Sequence, residues 1–226
     1  VPRFISSTKR QGAFIQGVFR GNAVLFALPV VTSLCGEENI ALASVCVALV
    51  VPYYTMLSVV LLELKRGGKV YVLSLLQSIA SNPLLWGAAL GGICLALHIE
   101  LPMFLRTPID ALSSMTTPMA LILLGATLKF KNNRTDLRDL FWACFTKLVI
   151  VPLFMIAAAL LSGYRSTEFI TAFAIAAVPT SVSTYPMATQ MDSDGPFAGQ
   201  IVAATSAFSP ATLFLWILLL SAMGLI

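Results

Sequence analysis

Val178-Pro179-Thr180-Ser181-Val182-Ser183-Thr184-Tyr185-Pro186-Met187-Ala188 lies inside an apolar run from Glu168 to Met191 that otherwise reads as a membrane span. Each proline deletes a backbone N–H and crowds the preceding turn, so the helix is expected to break between Pro179 and Pro186. Five hydroxyl-bearing residues, Thr180, Ser181, Ser183, Thr184 and Tyr185, fill the interval. Broken backbone at membrane depth survives only where it is buried in protein or lines a cavity. Secondary transporters place their substrate sites at such interruptions. The plainer reading is a proline kink whose hydroxyls bond back to their own helix.

Composition sets the environment of that break. The chain is 58% hydrophobic and 11% charged, with a mean hydropathy of +0.90. Soluble domains carry about 25% charged residues, so an integral membrane protein is expected. The net charge of +4 sits in short loops between apolar runs, which argues against nucleic-acid binding. Cys35, Cys46, Cys94 and Cys144 are scattered singly and read as buried free thiols. With one histidine, His98, at a predicted helix end, neither a metal site nor a nucleophile–histidine site is expected, and no cofactor is implied.

A span needs about 20 apolar residues. Seven stretches qualify: 13–34, 40–64, 82–98, 108–128, 137–161, 167–191 and 196–222. The third is short, and Val70 to Ile79 is expected to extend it across a break near Asn82-Pro83. Alternate loops hold ten basic residues: Arg3, Lys9, Arg10, Lys65, Arg66, Lys69, Lys129, Lys131, Arg134 and Arg138. The opposite loops hold only Arg106 and Arg165, so residue 1 is expected in the cytoplasm and the C-terminus outside. Arg20 and Lys147 fall within spans instead. Each either snorkels to the cytoplasmic interface or attracts an anionic substrate.

The break has a counterpart. Shifted by 157 residues, Asn22 lands on Pro179, Pro29 on Pro186 and Glu37 on Asp194, while Pro52 falls one residue short of Pro210. Both copies read as a broken helix, a short acidic loop and a proline-containing helix. They lie five spans apart, an odd number, so they enter the membrane from opposite sides as an inverted repeat. On this reading residues 1–64 are the last two spans of a first repeat, and 65–226 a complete second repeat of five. Three further spans, on the order of 80–90 residues, are expected before Val1.

These residues resemble the auxin efflux carrier family of permeases, which includes bacterial malonate-type permeases and plant PIN-type carriers. The resemblance covers essentially the whole chain. It rests on Gln16-Gly17-Val18-Phe19-Arg20-Gly21-Asn22 followed by Leu28-Pro29, and on Asn82-Pro83-Leu84 with Gly91-Gly92. It continues through Pro118-Met119-Ala120-Leu121 with Leu124-Gly125-Ala126, Lys147-Leu148 with Pro152, and Ala177-Val178-Pro179-Thr180 with Tyr185. Bacterial members often have an asparagine where this chain has Ser183, which offers one hydroxyl instead of an amide. The resemblance implies an all-α integral membrane fold, a scaffold and a transport domain, two broken helices crossing at the midplane, and movement of organic carboxylates.

The expected function is secondary-active transport of a small organic anion by alternating access, without enzymatic chemistry. Freed backbone groups and half-helix N-termini suit a carboxylate. The expected substrate-binding residues are Asn22, Pro29, Pro179, Ser181, Ser183, Thr184 and Pro186, with Arg20 and Lys147 as anion attractors. The expected surroundings are a lipid bilayer, of the bacterial inner membrane; H⁺ or Na⁺ coupling and a homodimer are left open. The rivals are a seven-helix receptor or a ligand-gated channel on a similar bundle. An intramembrane hydrolase would need a constellation of metal ligands or nucleophile and base that the chain does not offer.

Overall fold

In a computed structural model the described residues are 5, 7–66, 83–127 and 134–226. Their regular elements are helices: α1 (Thr8–Phe19), α2 (Leu28–Cys35), α3 (Ile40–Lys65), α4 (Pro83–Ala96), α5 (Met103–Thr127), α6 (Arg134–Phe145), α7 (Val151–Leu161), α8 (Ser166–Ala177), α9 (Thr184–Gln190) and α10 (Gly195–Ala222). Two π turns, Ala23–Ala27 and Thr146–Ile150, lead into α2 and α7. The expected extension over Val70–Ile79 and its junction at Asn82 lie outside the described residues.

Among the described residues three segments are long and apolar enough to cross a bilayer: Ile40–Lys65, Leu137–Leu161 and Gly195–Ala222. Two shorter apolar segments, Ala23–Cys35 and Ser166–Ala177, are what remains of a span once it is interrupted. Large apolar side chains such as Leu49, Phe154, Leu161 and Phe214 stand exposed. In water so much apolar surface would be an association hazard. Against hydrocarbon it is the expected exterior of an all-α membrane protein.

Proline positions explain most of the irregular backbone. Proline cannot donate to the carbonyl four residues back, and its ring crowds that carbonyl. Pro29 and Pro152 each occupy the second residue of a helix directly after a π turn, where the ladder has widened to admit the ring. The carbonyl that Pro152 leaves free, Leu148 O, accepts from the Trp216 indole at 3.0 Å. Pro210 lies inside α10, and the carbonyl it frees, Ser206 O, accepts from Ser209 Oγ at 3.1 Å. Pro52 likewise stays inside continuous α3.

Two apolar cores form on either side of the interruptions. One gathers Ala27, Val31, Val47, Ile156, Phe169 and Phe173 from the first π turn, α2, α3, α7 and α8. The other gathers Phe14, Ala143, Ala188, Phe197 and Ile201 from α1, α6, α9 and α10. The second lies toward the end of the bundle that carries Lys9, Arg10 and Lys65. There Arg10 donates to Asp139 at 3.0 Å, approaches Asp194 at 3.4 Å and lies 3.9 Å from the centre of the Phe197 ring. Asp194 also caps α10 by accepting from Phe197 N at 3.1 Å. At the surface Lys9 pairs with Asp192 at 2.7 Å. This hydrogen bond and charge hold the Asp192 carboxyl below its ordinary value, with Arg66 adding to the effect.

Candidate functional site

The two interruptions meet. α1 ends at Phe19 and the next helical residue is Ala23; α8 ends at Ala177 and α9 begins at Thr184. Between these ends the backbone forms an antiparallel bridge centred on Gly21 and Thr180. Asn22 N donates to Pro179 O at 2.8 Å, and Ser181 N donates to Arg20 O at 2.9 Å. Broken helices leave N–H and C=O groups without intrahelical partners; here each break supplies partners for the other. Asn22 and Pro179, the residues made equivalent by the 157-residue offset, are the pair joined by the first of these bonds.

Hydroxyls tighten the junction. Thr180 Oγ1 donates across it to Gly17 O at 2.6 Å, and Thr180 N donates to Thr205 Oγ1 at 3.2 Å. Close approach requires a residue without a side chain at position 21. A Cβ on Gly21 would lie 3.0 Å from Val178 Cγ2, 3.1 Å from Ile175 O and 3.2 Å from Lys147 Nζ.

Neither cation snorkels. Arg20 and Lys147 are 6% and 1% exposed. Lys147, on the second π turn, donates to Ala176 O at 3.2 Å, at the carbonyl end of α8 where the helix dipole favours a cation. Arg20, at the carbonyl end of α1, approaches Met187 Sδ at 2.6 Å and Thr55 Oγ1 at 3.4 Å. Neither forms an ion pair among the described residues. The junction therefore holds two buried basic side chains, together with the N–H ends of the π turn at Ala23 and of α9.

The expected binding residues divide on this geometry. Asn22, Pro179 and Thr184 are buried at the junction, and Asn22 makes no side-chain hydrogen bond among the described residues. Ser181 and Ser183 are half-buried and bond each other at 2.9 Å. Pro29 is exposed, on the second residue of α2, about two turns beyond the break. Pro186 is half-buried, the third residue of α9. Both breaks thus fall upstream of these two prolines. Pro186, in the first turn of α9, removes an N–H that had no intrahelical partner, whereas Pro29 is accommodated by the π turn that precedes it.

Two buried residues were not singled out by sequence. Gln16 is fully buried on α1, and both ends of its side-chain amide lack hydrogen-bond partners. Thr205 receives Thr180 N and donates to Ile201 O at 2.7 Å, a back-bond that gave no signal beyond an ordinary helical threonine. Among the described residues no cluster of histidine, cysteine or carboxylate side chains has the makings of a metal site.

Interrupted membrane helices that meet at their breaks are the arrangement on which secondary transporters build substrate sites. Residues 4–217 match the family described as membrane transport protein, and the chain belongs to this family, the auxin efflux carrier family. No curated protein and no solved structure matches the chain.

Proposed function

We propose that this protein is a secondary-active permease that binds a small organic anion, a carboxylate, at the junction of the two breaks and moves it by alternating access. The observation that carries the reading is the pair of buried basic side chains, Arg20 and Lys147, neither with a carboxylate partner among the described residues. A buried charge without a countercharge is costly, and an anionic ligand would supply that countercharge. The N–H ends of the half-helices add partial positive charge. Asn22 brings an unengaged amide to the same place, and Ser181 and Ser183 bring adaptable hydroxyls. Supporting an inverted repeat, the residues paired by the offset are bonded to each other at the junction. On this reading the basic end of the bundle is cytoplasmic.

The test uses purified protein and a panel of carboxylates, with ligand-induced thermal stabilisation as readout. Asn22→Ala is expected to leave the unliganded protein as stable as wild type and to weaken carboxylate binding by about 1–3 kcal/mol, the cost of an unmet polar group. A variant less stable without ligand but unchanged in affinity would make Asn22 a structural residue. Unchanged stability and unchanged affinity would move the site away from the junction.

A further inference from the structure

The polar side chains around Arg20 lack the partners that buried groups normally have. The guanidinium has five N–H donors, yet its neighbours are a thioether, which accepts weakly, and a hydroxyl at 3.4 Å. One turn earlier on the same face of α1 stands Gln16, 0% exposed, with neither amide nitrogen nor amide oxygen bonded. One more turn back, Gly12 fixes where this face looks: a Cβ there would touch Lys65 Cβ, Leu62 on α3 and Ser193 beyond α9. On α9, Met187 meets Arg20, and Thr184 lies one turn before Met187 on the same side. Thr184 is 0% exposed and its hydroxyl also has no partner. On α3, Thr55 faces the same guanidinium.

Buried polar groups in native proteins are overwhelmingly hydrogen-bonded. Here a guanidinium with two weak partners shares a face of α1 with an unpartnered amide, and its partner Met187 shares a face of α9 with an unpartnered hydroxyl, with α3 alongside. We propose that Arg20, Gln16 and Thr184 form the seat of the substrate carboxylate, a subsite between α1, α3 and α9 on the basic-end side of the junction. This inference rests on the organic-anion reading above and assigns its charged end. The guanidinium fork matches a carboxylate bidentately. Gln16 Nε2 and Thr184 Oγ1 supply further donors, and Gln16 Oε1 accepts from any donor the ligand carries next to its carboxylate. Met187 covers the guanidinium when the seat is empty; its unbranched, flexible side chain lets it swing aside.

The experiment measures thermal stabilisation of the purified protein by acetate, succinate and benzoate, with the corresponding amides as neutral controls. Wild type is compared with Gln16→Leu, Thr184→Val and Arg20→Lys. Thr184→Val exchanges a hydroxyl for a methyl and Arg20→Lys keeps the charge, so folding is preserved in at least these two. The expected result is at least a tenfold loss of affinity in each variant for whichever carboxylate binds wild type, with melting temperature without ligand unchanged or raised. Replacing an orphaned polar group by an apolar one of similar shape costs the empty protein nothing. Variants that bind like wild type would overturn the subsite while leaving the organic-anion reading intact. Lower stability without ligand at unchanged affinity would also overturn it, showing a water-bridged structural network. A wild type that none of the three acids stabilises would overturn both readings.

Discussion

Replacing Asp139 by asparagine tests how the basic end of the bundle is held. Asp139 is 3% exposed at its side chain and accepts from Arg10 at 3.0 Å; Arg10 is itself only 18% exposed. Removing one member of a buried ion pair costs about 3–5 kcal/mol because the other charge is stranded. Arg10 is not fully stranded, since Asp194 at 3.4 Å and the Phe197 ring at 3.9 Å remain. The expected loss is therefore about 2–3 kcal/mol, or about 5–10 °C of melting temperature for a chain of this size. The assay is thermal unfolding of the purified protein, run beside Asp192→Asn as control. Asp192 belongs to an exposed pair with Lys9, and such pairs are worth little. Its carboxyl is held low in the folded protein, so whatever it contributes is present above the unfolded-state value of about 3.9 and fades as pH falls through the folded one. At pH 7 the control is expected to match wild type. Arg10→Met combined with Asp139→Leu should recover most of the loss by removing both charges. If Asp139→Asn unfolds within a degree of wild type, the pair does not fasten α1 to α6.

Gly21→Ala is expected to destabilise the protein by about 1–3 kcal/mol, because the added Cβ presses on the Ile175 carbonyl and Lys147 Nζ; wild-type stability would show that the junction has slack. Trp216→Phe should cost about 0.6–1.7 kcal/mol, the range for an interhelical hydrogen bond in a membrane bundle. That cost should vanish in a Pro152→Ala background, where a backbone N–H again reaches Leu148 O, and a cost that persists there would assign the effect to packing.

Long apolar runs imply helices because a bilayer permits little else at that depth. The expected spans 40–64 and 196–222 correspond to Ile40–Lys65 and Gly195–Ala222 almost residue for residue. The second interruption was also legible, since prolines and hydroxyls clustered inside an apolar run are costly in lipid unless the helix opens there against protein, and the first was legible as its counterpart in the repeat. The offset of 157 aligns Asn22 with Pro179, the same two residues that the junction bonds. What sequence did not convey was which proline breaks and which begins. Pro29 and Pro186 carry the same local signal as Pro179, yet Pro186 lies in the first turn of α9 and Pro29 follows a π turn inside a continuous helical segment, and that distinction rests on backbone several residues upstream. Pairings across the bundle were equally silent. Arg10 with Asp139, and Trp216 with Leu148, join residues 129 and 68 positions apart, and no local period encodes such a meeting. Gln16 is one member of a longer motif, and a single amide in a span does not announce which neighbours it will lack.

The two backbone bonds between Asn22 and Pro179 and between Ser181 and Arg20 have a mechanical consequence. Pulling them apart would strand two N–H and two C=O groups away from water, each at a cost of several kcal/mol in a lipid-like setting. Keeping them intact is therefore favoured, and the bonds act as a weld between segments separated by the 157-residue offset. On the alternating-access reading proposed above, the four half-helices tilt or slide together as one stiff body, and the compliance that exposes the site to alternate sides belongs to the surfaces around that body, not to the joint at its centre.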